Sequence, residues 1–363
     1  MNEHKGNEMT TLRNTRASIL LVEDQKENID LLRTILGNEY KLRIATNGAM
    51  ATQSIMNQPP DLVLLDVGLP DMDGFEVCRW IKTAFPQLSI PVIFITAAIS
   101  ELDEERGLEL GAVDYIHKPY KRSIVKNRVR NQLDLLRCRN YLQEEVAAQT
   151  EQIRETQKGL LTALAIATEY RDQKTGAHIL RTKKLITLFL EVLRPFYPDD
   201  LSDEAVELII EASLLHDIGK IGIPDSILLK TGPLTTEEYS VMKEHAKTGQ
   251  ELLNKALDQY PDNEFLKIAV QMAAYHHEHW DGSGYPYGLK GEEIPLPARI
   301  MAIVDVYESL TANRVYRQGM SPENAKKIIV EGDGRVAPDH FDPKILSLFS
   351  SHHQEFAKIA SSI

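Results

Sequence analysis

The sequence predicts two domains, a doubly wound α/β domain with a parallel sheet followed by an all-α bundle. Three observations carry this. The chain has 363 residues, more than one hydrophobic core usually organises. Its first third alternates short apolar runs with amphipathic stretches, the rhythm of a parallel sheet covered on both faces. From Leu160 onward helical spacing dominates, and strand-like alternation is rare.

The elements follow in order. Ser18 to Val22 reads as a buried strand and Asn28 to Leu36 as a helix. Lys41 to Ala45 is a strand, Ala49 to Asn57 a helix. Leu62 to Leu65 is a strand, followed by a helix from Gly74 to Phe85. Pro91 to Ile95 is a strand and Glu101 to Leu110 a helix. Tyr115 and Ile116 lie in a last short strand. Ser123 to about Thr168 holds no proline and one glycine, Gly159, and is rich in good helix formers. It predicts one long helix, or two nearly continuous ones. Val146, Ile153 and Leu160 recur at steps of seven, so dimerisation through this helix is expected, although polar seam positions such as Asn140 make the heptad imperfect.

With 43% apolar and 26% charged residues, the composition is that of an ordinary globular protein. The 41 basic and 53 acidic side chains leave a net charge of −12, which argues against a nucleic-acid duplex as partner. A small anionic ligand stays open if a metal supplies local positive charge. Cys78 and Cys138 are the two cysteines and read as thiols of a reducing compartment. The longest apolar run, around Pro91 to Ile99, is too short to span a bilayer. Residues 1–17 read as a polar tail without a signal-peptide core. The expectation is a cytoplasmic protein with no membrane insertion.

In the first domain the polar residues fall at strand ends, where ligands of parallel sheets bind. Glu23 and Asp24 follow the first strand, Asp66 ends "DLVLLD", Thr96 ends "PVIFIT", and Lys118 lies in "YIHKP". Three converging carboxylates repel unless a hard cation such as Mg²⁺ holds them. Asp66 could then attack a phosphoryl donor, with Lys118 and Thr96 at the phosphoryl oxygens. The segments "LLVEDQ", "LLDVGLPDMDGFEV", "FITA" and "DYIHKP" closely resemble the receiver domain of two-component response regulators, over about 120 residues. The resemblance implies a flavodoxin-like fold with Asp66 as phosphoacceptor. It implies magnesium held by Glu23, Asp24 and Asp66, and Thr96 and Tyr115 as a coupled switch pair beside Lys118. The implied partner is a sensor histidine kinase.

The second domain places imidazoles and carboxylates on helices. His178 lies just after a loop at Thr175 and Gly176. In "ELIIEASLLHDIGKIGIPD" an apolar helix runs up to His216 and Asp217 and stops at Gly219, with Lys220 on the same face or end. His245 reads as part of a short helix, and His276 and His277 end another. Asp305 lies in the apolar helix "ARIMAIVDVYESL", where a carboxylate is costly without a cation partner. Singly, each histidine is more often a core or surface residue. Together, five histidines and two aspartates without cysteine suit a centre of two or more divalent ions and the hydrolysis of a phosphate ester.

From Leu160 to the end the chain resembles the HD-GYP phosphodiesterases of the HD superfamily. The motifs are "LLHDIGKIGIPD", "HHEHWDGSGYPYGLKGEEIPLPARI" and "DVYESLTANRVYR". The resemblance implies an all-α HD-type helical bundle and a cyclic dinucleotide substrate, chiefly cyclic di-GMP. The expected reaction opens it to linear pGpG, with slower cleavage to GMP. Its metal ligands fall on His178, His216, Asp217, His245, His276, His277 and Asp305, with iron or manganese as the expected ions. Lys220 falls on the lysine that touches the scissile phosphate, with Asp217 its catalytic neighbour. Arg314 and Arg317 fall in a substrate-contacting block, and Tyr285 either stacks on a base or packs under its loop; packing is expected for Trp280. A glutamate common four residues before the first histidine is here Lys174, which predicts two ions rather than three. Glu308-Ser309 and Val315 also depart from the family pattern and touch on substrate preference.

The expected organisation is a tail (1–17), a receiver domain (18–136), a helical connector (137–160) and a phosphodiesterase domain (161–363). Expected partners are the kinase, a diguanylate cyclase and a second copy of the chain. Competing readings are an enzyme preferring cyclic GMP-AMP or pGpG, and a cyclic-dinucleotide-binding scaffold with little turnover.

Overall fold

The computed structural model describes residues 16–97, 101–170, 176–312 and 318–361. Contacts divide the chain into two compact units, 1–150 and 151–363.

In the first unit, strands β1 (Ser18–Val22), β2 (Lys41–Ala45), β3 (Leu62–Asp66), β4 (Val92–Thr96) and β5 (Asp114–His117) form one parallel sheet in the order β2-β1-β3-β4-β5. The apolar runs force this. Leu62–Asp66 and Val92–Thr96 are buried at every position, as central strands covered on both faces must be. Helices α1 (Lys26–Leu36), α2 (Gly48–Asn57), α3 (Gly74–Ala84) and α4 (Glu101–Glu109) connect them. Alternate side chains feed two cores. Leu20, Val22, Val63, Leu65 and Phe94 join one, and Ile19, Leu21, Leu62, Leu64 and Ile95 the other. Strand order reverses between β1 and β3, so their carboxyl ends flank a crevice. Asn47 caps α2 and Asp73 caps α3, each side chain accepting a backbone N–H.

The connector is a single helix, α5 (Arg122–Tyr170). Val146, Ile153 and Leu160 stand exposed on it. Within the second unit Lys158 reaches Glu211 at 3.6 Å, and Arg154 pairs with Glu207.

The second unit is helical among its described residues, with α6 (Gly176–Leu193), α7 (Asp203–Ala212), the single turn α8 (Asp225–Leu228), α9 (Thr236–Leu257), α10 (Glu264–Tyr275), α11 (Leu296–Thr311), α12 (Pro322–Glu331) and α13 (Pro343–Ser361). Their apolar stripes meet in one core that includes Phe189, Ile300, Val304, Tyr307, Phe349 and Phe356. His245 lies deep within the 22-residue α9 rather than in a short helix. A capping box of Thr235 and Glu238 starts that helix well upstream. The apolar helix before His216 also ends sooner than the sequence suggests. It stops at Ala212 and continues as two 3₁₀ turns, Ser213–Leu215 and Ile218–Gly222, with His216 and Asp217 between them. Gly219 explains the tight turn: a Cβ there would stand 1.9 Å from the His245 carbonyl and 2.4 Å from the Gly249 nitrogen. No described helix is long and apolar enough to cross a membrane.

Candidate metal centre and acid pocket

At the crevice of the first unit, the carboxylates of Glu23, Asp24 and Asp66 each bring an oxygen within 4.8 Å of the others. Glu23 and Asp66 are buried, whereas Asp24 is exposed. Lys118 Nζ lies 2.7 Å from Asp66 Oδ2 and 2.8 Å from Glu23 Oε2. Burial, reinforced by the charge of Glu23, raises the Asp66 carboxyl above its ordinary value against the pull of Lys118. Burial also opposes ionisation of Glu23, but hydrogen bonds from Lys118 and Asn28 carry it below the ordinary range. Thr96 is buried at the end of β4, and the buried Tyr115 ring stacks on Phe94 at 5.4 Å. An oxygen-only donor set of this kind suits a hard divalent cation.

In the second unit, seven of the residues picked from the sequence converge: His178, His216, Asp217, Lys220, His245, His276 and His277, with Asp305 at the edge. Asp217 stands between two groups. Its Oδ1 lies 3.5 Å from His245 Nε2 and 4.0 Å from His276 Nε2, and these two nitrogens are 3.4 Å apart. Its Oδ2 lies 3.3 Å from His216 Nε2, which is 3.9 Å from Asp305 Oδ1. The His277 ring is 5.0 Å from His245 and 4.0 Å from His276, and the His178 ring 6.5 Å from His216. Nitrogens of His245, His276 and His277 all lie within 4.8 Å of one another, a grouping that could hold a metal ion.

The imidazoles are oriented as metal ligation would require. His216, His245 and His276 each direct Nδ1 at a backbone carbonyl, of Ser213, Met242 and Met272, at 2.7–2.8 Å. A carbonyl can only accept, so the proton sits on Nδ1 and the lone pair on Nε2 faces the centre. Burial disfavours protonation of three of the rings: it lowers His245, pushes His276 down to about 3, aided by His216 and His245, and holds His277 well below its ordinary value. His178 Nδ1 instead meets Glu308 Oε2 at 2.5 Å. Arg181 donates to the other oxygen of Glu308 at 2.6 and 3.0 Å. Lys220 Nζ is 2.6 Å from Asp217 Oδ2, the oxygen that faces His216.

The glycine- and proline-rich loop is tied to the centre by Glu278, which is 2% exposed. Its carboxylate accepts the backbone N–H groups of Tyr287 and Leu289 at 2.7 and 2.9 Å. Gly284 is packed so closely that a Cβ would meet the His279 nitrogen at 2.3 Å. The Tyr285 ring stacks on His277 at 4.8 Å, and Trp280 packs beside the Arg299 guanidinium. Glu278 carries no role in the sequence reading, and Glu308 enters there only as a departure touching substrate preference, not as a partner of a candidate ligand. The signal that exposed Asp305, a carboxylate in an apolar helix, was equally present for Glu308, four residues on from Val304. Arg314, Arg317, Val315 and Lys174 lie outside the described residues.

Two family models match the chain, the response regulator receiver domain over residues 19–130 and the HD domain over residues 198–345. Over 95% of the chain and 80% of the relative's length, it is 41% identical to a Vibrio cholerae protein named "Probable cyclic di-GMP phosphodiesterase". It is 35% identical, over 90% of the chain and 85% of the relative, to the cyclic di-GMP phosphodiesterase response regulator RpfG of Xanthomonas campestris. The chain belongs to this response-regulator family. A further Vibrio cholerae relative, 3'3'-cGAMP-specific phosphodiesterase 2, is 40% identical over 58% of the chain and 38% of its own length. The regulator's receiver domain points to a histidine kinase as phosphodonor, and its HD domain implies dependence on divalent metal.

Proposed function

We propose that the regulator is a metal-dependent phosphodiesterase that opens cyclic di-GMP to linear pGpG, with slower passage to GMP, under control of phosphorylation at Asp66. One observation carries this reading: Asp217 presents one oxygen to His245 and His276 and the other to His216. A carboxylate so placed could serve an ion on each side. We assign His178, His216, Asp217 and Asp305 to one ion and His245, His276, His277 and Asp217 to the other. Imidazole with carboxylate suits iron or manganese. When bound, the ions supply Lewis acidity and a water acidic enough to attack at neutral pH.

The chain's own groups do the rest. Asp217 fixes the two ligand groups against each other. Lys220, beside Asp217 Oδ2, offsets charge on the phosphoryl oxygens and gives a proton to the departing sugar oxygen. Glu308 holds the ring of His178. Tyr285 backs His277, and Arg314 and Arg317 contact the substrate. In the receiver, Glu23, Asp24 and Asp66 bind Mg²⁺, and Asp66 takes the phosphoryl group from a kinase. Thr96, Tyr115 and Lys118 respond to the added charge. The receiver is assigned to 18–136, the connector to 137–160 and the catalytic domain to 161–363. The exposed heptad residues Val146, Ile153 and Leu160 support a homodimer paired along α5; the assigned compartment is the cytoplasm, where a diguanylate cyclase would supply the substrate.

The test is chromatography of the products after incubating metal-loaded protein with cyclic di-GMP, cyclic GMP-AMP and pGpG. The reading expects pGpG to accumulate first, from cyclic di-GMP in preference to the other two. Turnover that survives Asp217→Ala overturns it, and faster cleavage of cyclic GMP-AMP, the substrate in one relative's name, moves the substrate assignment.

A further inference from the structure

At the rim of the metal centre, Lys243 Nζ lies 5.4 Å from the centre of the Tyr239 ring and 5.7 Å from that of Tyr285. Tyr285 in turn stacks on His277. A continuous line therefore runs from the candidate metal ligand His277 through the Tyr285 ring to the Lys243 ammonium and on to the Tyr239 ring. Tyr239 and Lys243 share α9 with His245, six and two residues before it, so the helix fixes their distance from the ligands.

Two contrasts make this arrangement chemically specific. Lys220 is engaged by Asp217 at 2.6 Å, whereas among the described residues Lys243 has no carboxylate within ion-pair distance. Aromatic faces position an ammonium without neutralising it or occupying its N–H donors. In a chain of net charge −12, such a cation is suited to an incoming anion. Tyr239 is half exposed, which leaves a face open for stacking. A cyclic dinucleotide carries two phosphodiesters and two bases. When one phosphodiester sits at the metals, the other must lie outside the ligand set.

We propose that Lys243 and Tyr239 form a distal subsite that binds the uncleaved phosphodiester of the cyclic dinucleotide and stacks on one of its bases. This rests on the phosphodiesterase reading above. The subsite selects for a two-phosphate ligand and contributes little to a substrate with a single phosphodiester.

The experiment uses full-length, metal-loaded protein carrying Lys243→Gln, Lys243→Arg, Tyr239→Ala or Tyr239→Phe. Kinetics are measured on cyclic di-GMP and on bis(p-nitrophenyl) phosphate, which has one phosphodiester and no nucleobase. Calorimetry gives the affinity for a non-hydrolysable phosphorothioate analogue of cyclic di-GMP. Lys243→Gln and Tyr239→Ala should each weaken the analogue and raise the KM for cyclic di-GMP about tenfold more than for the small diester. Lys243→Arg and Tyr239→Phe should recover most of that loss. Equal losses on both substrates, or none on either, overturn the proposal. Wild-type protein that cleaves the small diester but neither cleaves nor binds the cyclic dinucleotide removes the substrate assignment itself, and the subsite with it.

Discussion

Glu308 and His178 are joined at 2.5 Å, Oε2 to Nδ1, and both side chains are buried. Burial opposes the charge on Glu308, yet the hydrogen bonds from His178 and Arg181 carry its carboxyl below the ordinary value. The carboxylate therefore stays ionised and fixes the ring orientation and tautomer of a candidate ligand. Partners of this kind are worth about 10–100-fold in metal affinity. Glu308→Ala should lower metal affinity by that order, read by elemental analysis after dialysis against graded chelator. Glu308→Gln keeps an acceptor and should lose less.

Gly219 packs its α-carbon against the backbone of α9, and a methyl group has no room there. Gly219→Ala should cost about 1–3 kcal/mol in urea unfolding, the usual penalty of overpacking. It should also reduce turnover, because the same turn carries Asp217 and Lys220.

Asp66 is the buried carboxylate nearest Lys118 in the acid pocket. Asp66→Asn should abolish labelling by an acyl-phosphate donor in a phosphate-affinity gel. Turnover should change on phosphorylation in the wild-type protein and stay constant in the variant.

The stacked rings of His279 and His340, 3.7 Å apart, give the loop a pH dependence. Burial, helped by the charge of His340, lowers His279 from its ordinary 6.5 to about 4. Between those two values the unfolded chain takes up a proton that the folded chain refuses, so the unfolded state binds more protons and stability falls as pH falls. Stability should be full above about pH 6.5 and decline toward pH 4. His279→Phe, which keeps a stacking face without a titrating nitrogen, should flatten that slope in thermal unfolding scans.

Much of this was legible in the sequence because its signals are local. The strands were readable as apolar runs, and the strand-end carboxylates followed from them. The candidate ligands stood out because Asp305 and the paired His276 and His277 sit in apolar helical surroundings. Three things were not readable. The 3₁₀ turns around His216 depend on how closely Gly219 approaches α9, a contact between distant segments. The role of Glu278 depends on the path of a loop nine to eleven residues ahead. The bond between Glu308 and His178 joins two helices whose pairing no local pattern encodes.

Removal of metal gives a further test. The imidazole contacts that orient the cradle are made to carbonyls three or four residues back. Chelation should therefore abolish turnover while leaving helical circular dichroism nearly unchanged, unlike small domains that unfold without zinc. Added manganese or ferrous ion should restore activity without a refolding lag.

The three Nδ1 bonds set the rings through contacts local to their own backbone turns. Divalent cations of similar size compete for such a seat by abundance as much as by preference. The supply of each ion, together with the imidazole and carboxylate donors, would then set which one is bound.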